Sequence, residues 1–254
     1  VRDLDLPVTT ADLALRPWDR DAVHQVFDGL EFRVLRDRLF QTLSTEEPEA
    51  EEGFEISGVV LGEGEVAAWL DEHAPQGVLV GVRVGGAWGR GTGRVDTLAR
   101  ATPDDGAAWF DVATLTPDDE AAVAAWLADA GRPKVLHDAK GPILALRAQG
   151  WAVAGLASDT ALAAYLSRPD QRSYDLEDLA LRYLHRELRV EDHGDQLTLD
   201  VADDAAAQDA MLQAAAVLEL SGALDAELDK LGGRSLLDAV ELPLVSVLAD
   251  MEEV

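Results

Sequence analysis

Residues Lys134 to Leu188, KVLHDAKGPILALRAQGWAVAGLASDTALAAYLSRPDQRSYDLEDLALRYLHREL, carry the pattern that decides the fold. KVLHD reads as a strand, Gly141 to Gln149 as a helix, and WAVAGL as a second short strand. A helix opened by Asp159 follows, then a turn around Pro169 and a helix opened by Ser173 or Asp175. Ser, Thr and Asp at these places accept from the free amides of a helix's first turn, which is why they mark its start. Tyr165, Leu166, Leu179 and Tyr183 are expected in the core that joins these helices.

Upstream, FEISGVVL, a helix near Gly64 to His73, GVLVGVRV, a return through Gly85 and Gly86, GRVDTLARA and AAWFDV form a meander. Period-two alternation and β-branched residues support that reading. Thr116-Pro117 with Asp118, Asp119 and Glu120 opens a helix that buries Val123, Trp126 and Leu127, and Gly131-Arg132-Pro133 ends it. Further upstream Val23, Val26, Phe27, Leu30, Val34, Leu35 and Leu39 recur at three- and four-residue steps, an amphipathic helix broken at Gly29. Ser44 to Gly53, STEEPEAEEG, is acidic and nearly without apolar residues, the composition of a flexible linker. Downstream lie two long helices, Ala205 to Leu231 and Ser235 to the last residue, separated by Gly232-Gly233. The helical pattern still running at Val254 leads us to expect that the element continues. The whole predicts an α/β sandwich around one mixed sheet.

Composition narrows the function classes. The chain of 254 residues is 48% hydrophobic, enough for a core, and has no cysteine, so disulfides, thiolate metal sites and a cysteine nucleophile are excluded. Forty-nine acidic against 21 basic residues give a formal net charge of −28, which repels a phosphate backbone and predicts weak or no nucleic-acid binding by this segment. No run of about 18 uncharged apolar residues and no leader pattern is read, so no membrane span and a cytoplasmic location are expected. The Ala-, Arg-, Asp- and Leu-rich composition suggests an actinobacterial source.

Several constellations resemble sites and fail their context. Gly85-Gly86 and Gly89-Arg90-Gly91-Thr92-Gly93 lack the lysine and the following helix of a phosphate cradle, so a hairpin is the better reading. His137-Asp138 offers a base and an orienter, but neighbours on a strand face opposite ways. A hydrogen-bonded structural histidine is expected there. Asp192-His193-Gly194-Asp195 reads as a solvated turn, and none of the five histidines has helical i, i+4 spacing.

The segment Lys134 to Leu188 is similar to the second half of the 3′-5′ exonuclease domain of the bacterial DNA polymerase I family (family A). DLPVTT with DRDAVHQVFDGLEFRVLRDRL, notably Leu30-Glu31-Phe32, resembles the end of that family's 5′-nuclease domain. ELPLVSVLADME, Glu241 to Glu252, resembles the helix leading into its polymerase domain. The resemblance implies residues 1–43 as the end of the 5′-nuclease domain and 44–53 as an acidic linker. It implies a ribonuclease H-like exonuclease domain over 54–233 and the start of the helix into the polymerase domain over 234–254. Members of the family hold two metal ions on an Asp-x-Glu in the first meander strand, an Asp in the helix after the strand similar to KVLHDAK, and a late Tyr-x-x-x-Asp. Those positions fall here on Gly81 and Arg83, on Pro142 (counting back from Gly150), and near Gln213 or Ala214. All three motifs lack their ligand, and Arg83 brings a cation toward a cation site. The expectation is a vestigial domain with no metal, no cofactor and no nuclease activity, whose partners are the polymerase and 5′-nuclease domains of one longer chain. The parent polymerase would use Mg and engage DNA in replication and repair, nucleoid-associated in the cytoplasm. Two other readings stand beside it: a residual nuclease on relocated carboxylates Asp111, Asp138 and Asp159, and an acidic protein-interaction module.

Overall fold

The computed structural model describes residues 26–27, 56–89, 92–104, 106–171, 173–186, 188 and 199–253, with the side chains of 199–204 left aside. The linker 44–53, Asp192-His193-Gly194-Asp195 and all but Val26 and Phe27 of the amino-terminal helix lie outside the described residues. By its contacts the chain divides into Val1–Ala50 and Glu51–Val254, and the elements below belong to the second unit.

Six strands form one mixed sheet in the order β1-β4-β3-β2-β5-β6. They are β1 (Ser57–Val60), β2 (Val80–Gly89), β3 (Thr92–Ala101), β4 (Gly106–Asp111), β5 (Lys134–Leu136) and β6 (Leu156–Asp159). β2, β3 and β4 are the antiparallel meander, whereas β1 joins β4, β5 joins β2 and β6 joins β5 in parallel. Between them run α1 (Val66–His73), α2 (Pro117–Ala128), α3 (Lys140–Ala148), α4 (Thr160–Ser167), α5 (Leu176–Leu184) and α6 (Leu199–Leu231). A helical turn Arg234–Leu236 and a π-helical stretch Leu237–Glu241 lead into α7 (Leu242–Glu252). This is the expected mixed sheet flanked by helices.

The alternation in β2 sorts its two faces. Val80, Val82 and Val84 join Leu98, Phe110, Val123, Trp126 and Ile143 in a core beneath α1, α2 and α3. Opposite, Ala99, Ala101 and Ala107 meet Met211 and Ala214 of α6 in a seam of small residues. A third cluster joins α4, α5 and α6, in which Leu220, Leu224 and Leu228 are fully buried at four-residue steps. Each such leucine stabilises by about 1.5–3 kcal/mol when buried, and the Ala- and Leu-rich sequence around the stripe favours a helix as well.

α2 starts as its sequence requires. Thr116 Oγ1 accepts from the Asp119 amide and the Asp119 carboxylate accepts from the Thr116 amide, a reciprocal capping box with Pro117 in the first turn. The same carboxylate accepts from Gly64 and Ala67 at 2.8 Å each, tying the start of α1 to the start of α2.

Three local expectations are corrected. Gly85-Gly86 is a β-bulge inside β2 and not the return, and β2 stays paired with β3 as far as Gly89 and Thr92. WAVAGL is irregular up to Gly155, whose φ of +71° turns the chain before β6 begins at Leu156. Tyr165 is exposed rather than core, because α4 turns Thr160, Ala163 and Ala164 inward, and its ring packs edge-on against Tyr174 at 5.8 Å.

Candidate functional site

β2 and α6 bring three of the four motif positions together. Gly81 lies on the pleat face under α6, and a side chain there would overlap the Ala214 carbonyl oxygen and come within 2.9 Å of Leu218 Cβ. Two residues on, Arg83 emerges on the same face. Its Nε donates to Gln213 Oε1 at 2.6 Å and its Nη1 to the Val84 carbonyl at 3.2 Å. Gln213 Nε2 in turn donates to Asp209 Oδ2 at 2.8 Å. Burial pushes the Asp209 carboxyl up, against the opposing pull of Arg83 and Gln213. Asp209 was not among the sequence candidates. The signal was present, since it stands one helical turn before Gln213 and shares its face.

Pro142 occupies the first turn of α3, where it is buried. α3 enters the core through Ile143 and Leu144, alongside Val80, Val82 and Val84 on the other face of β2. No hydrogen bond among the described residues ties Pro142 to the Arg83 chain.

The remaining carboxylates are engaged locally. β5 ends at Leu136, and Asp138 adopts φ +47°, a left-handed conformation that Asp tolerates. Asp159 caps α4 and accepts from the amides of Asp138 and Ala139 at 3.1 and 2.8 Å, stapling the β5–α3 turn to β6. Its burial raises the carboxyl despite the amides that favour the charged form. His137 Nδ1 is 2.8 Å from Thr160 Oγ1, and burial lowers the imidazole. Asp111 caps a 3₁₀ turn, Val112–Thr114, at the end of β4. β4 and β5 are three strand spacings apart in the sheet, about 14 Å, so Asp111 and Asp138 do not reach one metal ion.

The donor set does not fit a divalent metal pair. At the β2–α6 junction stand a glycine, a guanidinium, an amide and one carboxylate already held by that amide. Hard cations at such sites need several converging carboxylate oxygens. Among the described residues no three His, Asp or Glu side chains are grouped to hold a metal ion.

The meander, the parallel strands beyond it and the helix laid over β2 define a ribonuclease H-like domain of the 3′-5′ exonuclease type. The family described as DNA polymerase I, ribonuclease H-like domain, matches residues 99–193. DNA polymerase I of Mycobacterium tuberculosis is 51% identical over 257 residues, covering 99% of this chain and 28% of that protein. The structure of the POL domain of Pol1 from M. smegmatis, in complex with DNA primer-template and dNTP, superposes with a TM-score of 0.67 at 46% identity. That match covers 77% of this chain and 31% of the other. NrnC of Brucella melitensis with bound Mg2+ shares the fold alone, with a TM-score of 0.55 at 16% identity over 79% of this chain and 92% of that one. The chain is similar along nearly its whole length to the mycobacterial relative, and it spans about 28% of that protein's length.

Proposed function

We propose that this segment is a non-catalytic exonuclease-like domain of a DNA polymerase I acting in replication and repair, a structural scaffold between the 5′-nuclease and polymerase domains. One observation carries the reading: α6 is seated on Gly81 so closely that the first motif position has no room for any side chain, with Arg83 beside it bonded to α6. A pair of metal ions about 4 Å apart with their carboxylates needs that space.

The scaffold role draws support from α7. Its inner face is tied to α3 by Lys140 to Glu252 at 2.8 Å and by Arg147 to Asp250 and Ser246 at 2.5 and 2.8 Å. Its outer face, with the preceding turn, exposes Val240, Leu244, Val247, Leu248 and Met251. An apolar strip on a helix already pinned by its other side suits the covering of a neighbouring domain. No helix among the described residues is long and apolar enough to cross a membrane.

Labelled single-stranded DNA with Mn2+ or Mg2+ tests the catalytic half of the proposal. No degradation above the rate of an Asp209→Ala, Asp138→Ala double variant is expected. Degradation that both substitutions abolish would sink it.

A further inference from the structure

We propose that the outer edge of β1 takes up, by strand addition, a short, extended and basic segment of a partner protein. β1 ends the sheet and has one neighbour, β4, along which its register runs without a shift. The Leu61 amide donates to the Trp109 carbonyl at 2.9 Å. Backbone groups of successive strand residues point to alternate sides, so Val59 also turns to β4, whereas Gly58 and Val60 turn their amides and carbonyls outward. All four residues of β1 are exposed, Val59 at 47% and Val60 at 50%. An edge of this kind is ordinarily blunted by a lysine, a proline, a bulge or a covering element. The run Ile56 to Leu61, ISGVVL, has no charge and no proline, and its ladder has no bulge. The sheet's other edge differs, since β6 lies beside α7 and the π-helical stretch.

Two features select the occupant. The strand is fixed before a partner arrives, since Gln208 Nε2 of α6 donates to the Ile56 carbonyl at 3.2 Å and the Leu61 bond holds the other end. Its flanks are acidic: Glu51, Glu52 and Glu55 precede it in sequence, and Glu63 and Glu65 stand exposed just beyond it. No lysine or arginine occurs from Leu39 to Val82. The formal net charge of −28 sets a second copy of this chain against the first and repels a phosphate backbone. A segment with β-branched residues at alternate positions and lysine or arginine at its ends meets both the backbone edge and the charge. β1 has four residues, so the paired part of the segment is equally short. This inference stands apart from the scaffold reading and from whether the domain is catalytic.

Fluorescence anisotropy of a labelled peptide of alternating threonine and valine between lysine pairs, titrated with the whole chain, tests it. Binding is expected, and N-methylation of the peptide's central amides, which keeps its charge, should weaken it by about tenfold or more. Val60→Pro should do the same to the unmethylated peptide, because it removes an outward donor and leaves the bonds to β4 in place. The methylated peptide keeps the test on the unaltered chain, whatever proline does to the edge. Equal binding of the two peptides would overturn the proposal, leaving charge attraction alone. So would an absence of binding, or a dimer of the unaltered chain in sedimentation that Val60→Pro dissolves, which would make a second copy the occupant.

Discussion

The carbonyl oxygen of Ala214 in α6 occupies the space where a side chain at Gly81 in β2 would have to begin. That one approach shapes the junction, because it requires a glycine on the strand and small residues on the helix. Over Gly58 at the sheet's edge the close atoms are instead the Met211 sulfur and methyl, the far end of a flexible side chain that can move aside. Gly81→Ala should therefore destabilise the domain by about 2–3 kcal/mol, an overpacking cost that relaxation of a 33-residue helix does not easily relieve. Gly81→Asp should cost more and should not confer divalent-metal binding. Urea midpoints and metal titration calorimetry check the two statements.

Arg83 and Gln213 should be energetically coupled. The guanidinium replaces with hydrogen bonds whatever else would join β2 to α6 at this point, and Gln213 passes the interaction on to Asp209. In a double-mutant cycle Arg83→Met and Gln213→Ala should show about 0.5–2 kcal/mol of interaction. Arg83→Met alone should raise the Asp209 carboxyl further, since the cation that pulls it down is gone. Carboxyl-resonance NMR titration reads that direction.

Much of the fold was legible in Lys134 to Leu188 because periodicity, caps and breakers agree there. Thr116, Pro117 and Asp119 announced α2 for the same reason. Two kinds of information were not. The bulge at Gly85-Gly86 and the irregular run before Leu156 depend on register against neighbouring strands, which a glycine pair or an apolar run does not encode. At the site, Gly81, Arg83 and Gln213 could be named from position, but the reach of Ala214 onto Gly81 is a tertiary distance. Arg100 and Lys134 were missed because a cation in a strand is ordinarily a surface residue. Only the Trp69 and Trp126 indoles of α1 and α2 and the carbonyls around the Lys134 Nζ make their burial possible.

Asp119 should matter beyond an ordinary cap. Burial alone would raise its carboxyl, but bonds from Thr116, Ala67 and Gly64 hold it below the usual 3.8. Asp119→Ala should cost about 2–4 kcal/mol, because it frees the starts of two helices. The folded value is depressed, so the charge-linked stability is fully present above the unfolded pKa and is lost as pH falls through the lower folded one. Asp119→Asn should lack this component of the acid limb. Urea unfolding between pH 2 and 6 compares them.

Lys134 should act in the alkaline range with the opposite consequence. Burial, with Arg132 and Arg100 adding to it against Asp129, lowers its ammonium from 10.5 to about 8. Between those values the unfolded chain holds the extra proton, so this residue's contribution makes stability rise with pH, by at most about 1.4 kcal/mol per pH unit. Its penalty is fully present below about 8 and relieved by 10.5. The stability difference between the unaltered chain and Lys134→Met should therefore grow in favour of the unaltered chain from pH 8 to 10. A difference that stays flat across that range would show that Nζ titrates outside it.

Met251 separates a role inside this domain from one outside it. It is 69% exposed on α7, and the ion pairs that pin the helix lie on other residues. In this chain Met251→Ser should change stability by no more than about 0.5 kcal/mol, the range expected for a surface site without special contacts. In a chain extended to the length of the mycobacterial relatives, a helix face that covers another domain should make the same change cost about 1–2 kcal/mol, with Leu248→Ser adding to it. Comparing unfolding of the two lengths decides the matter. Equal small effects in both would mean that the strip faces solvent in the longer protein and that the scaffold does not use it.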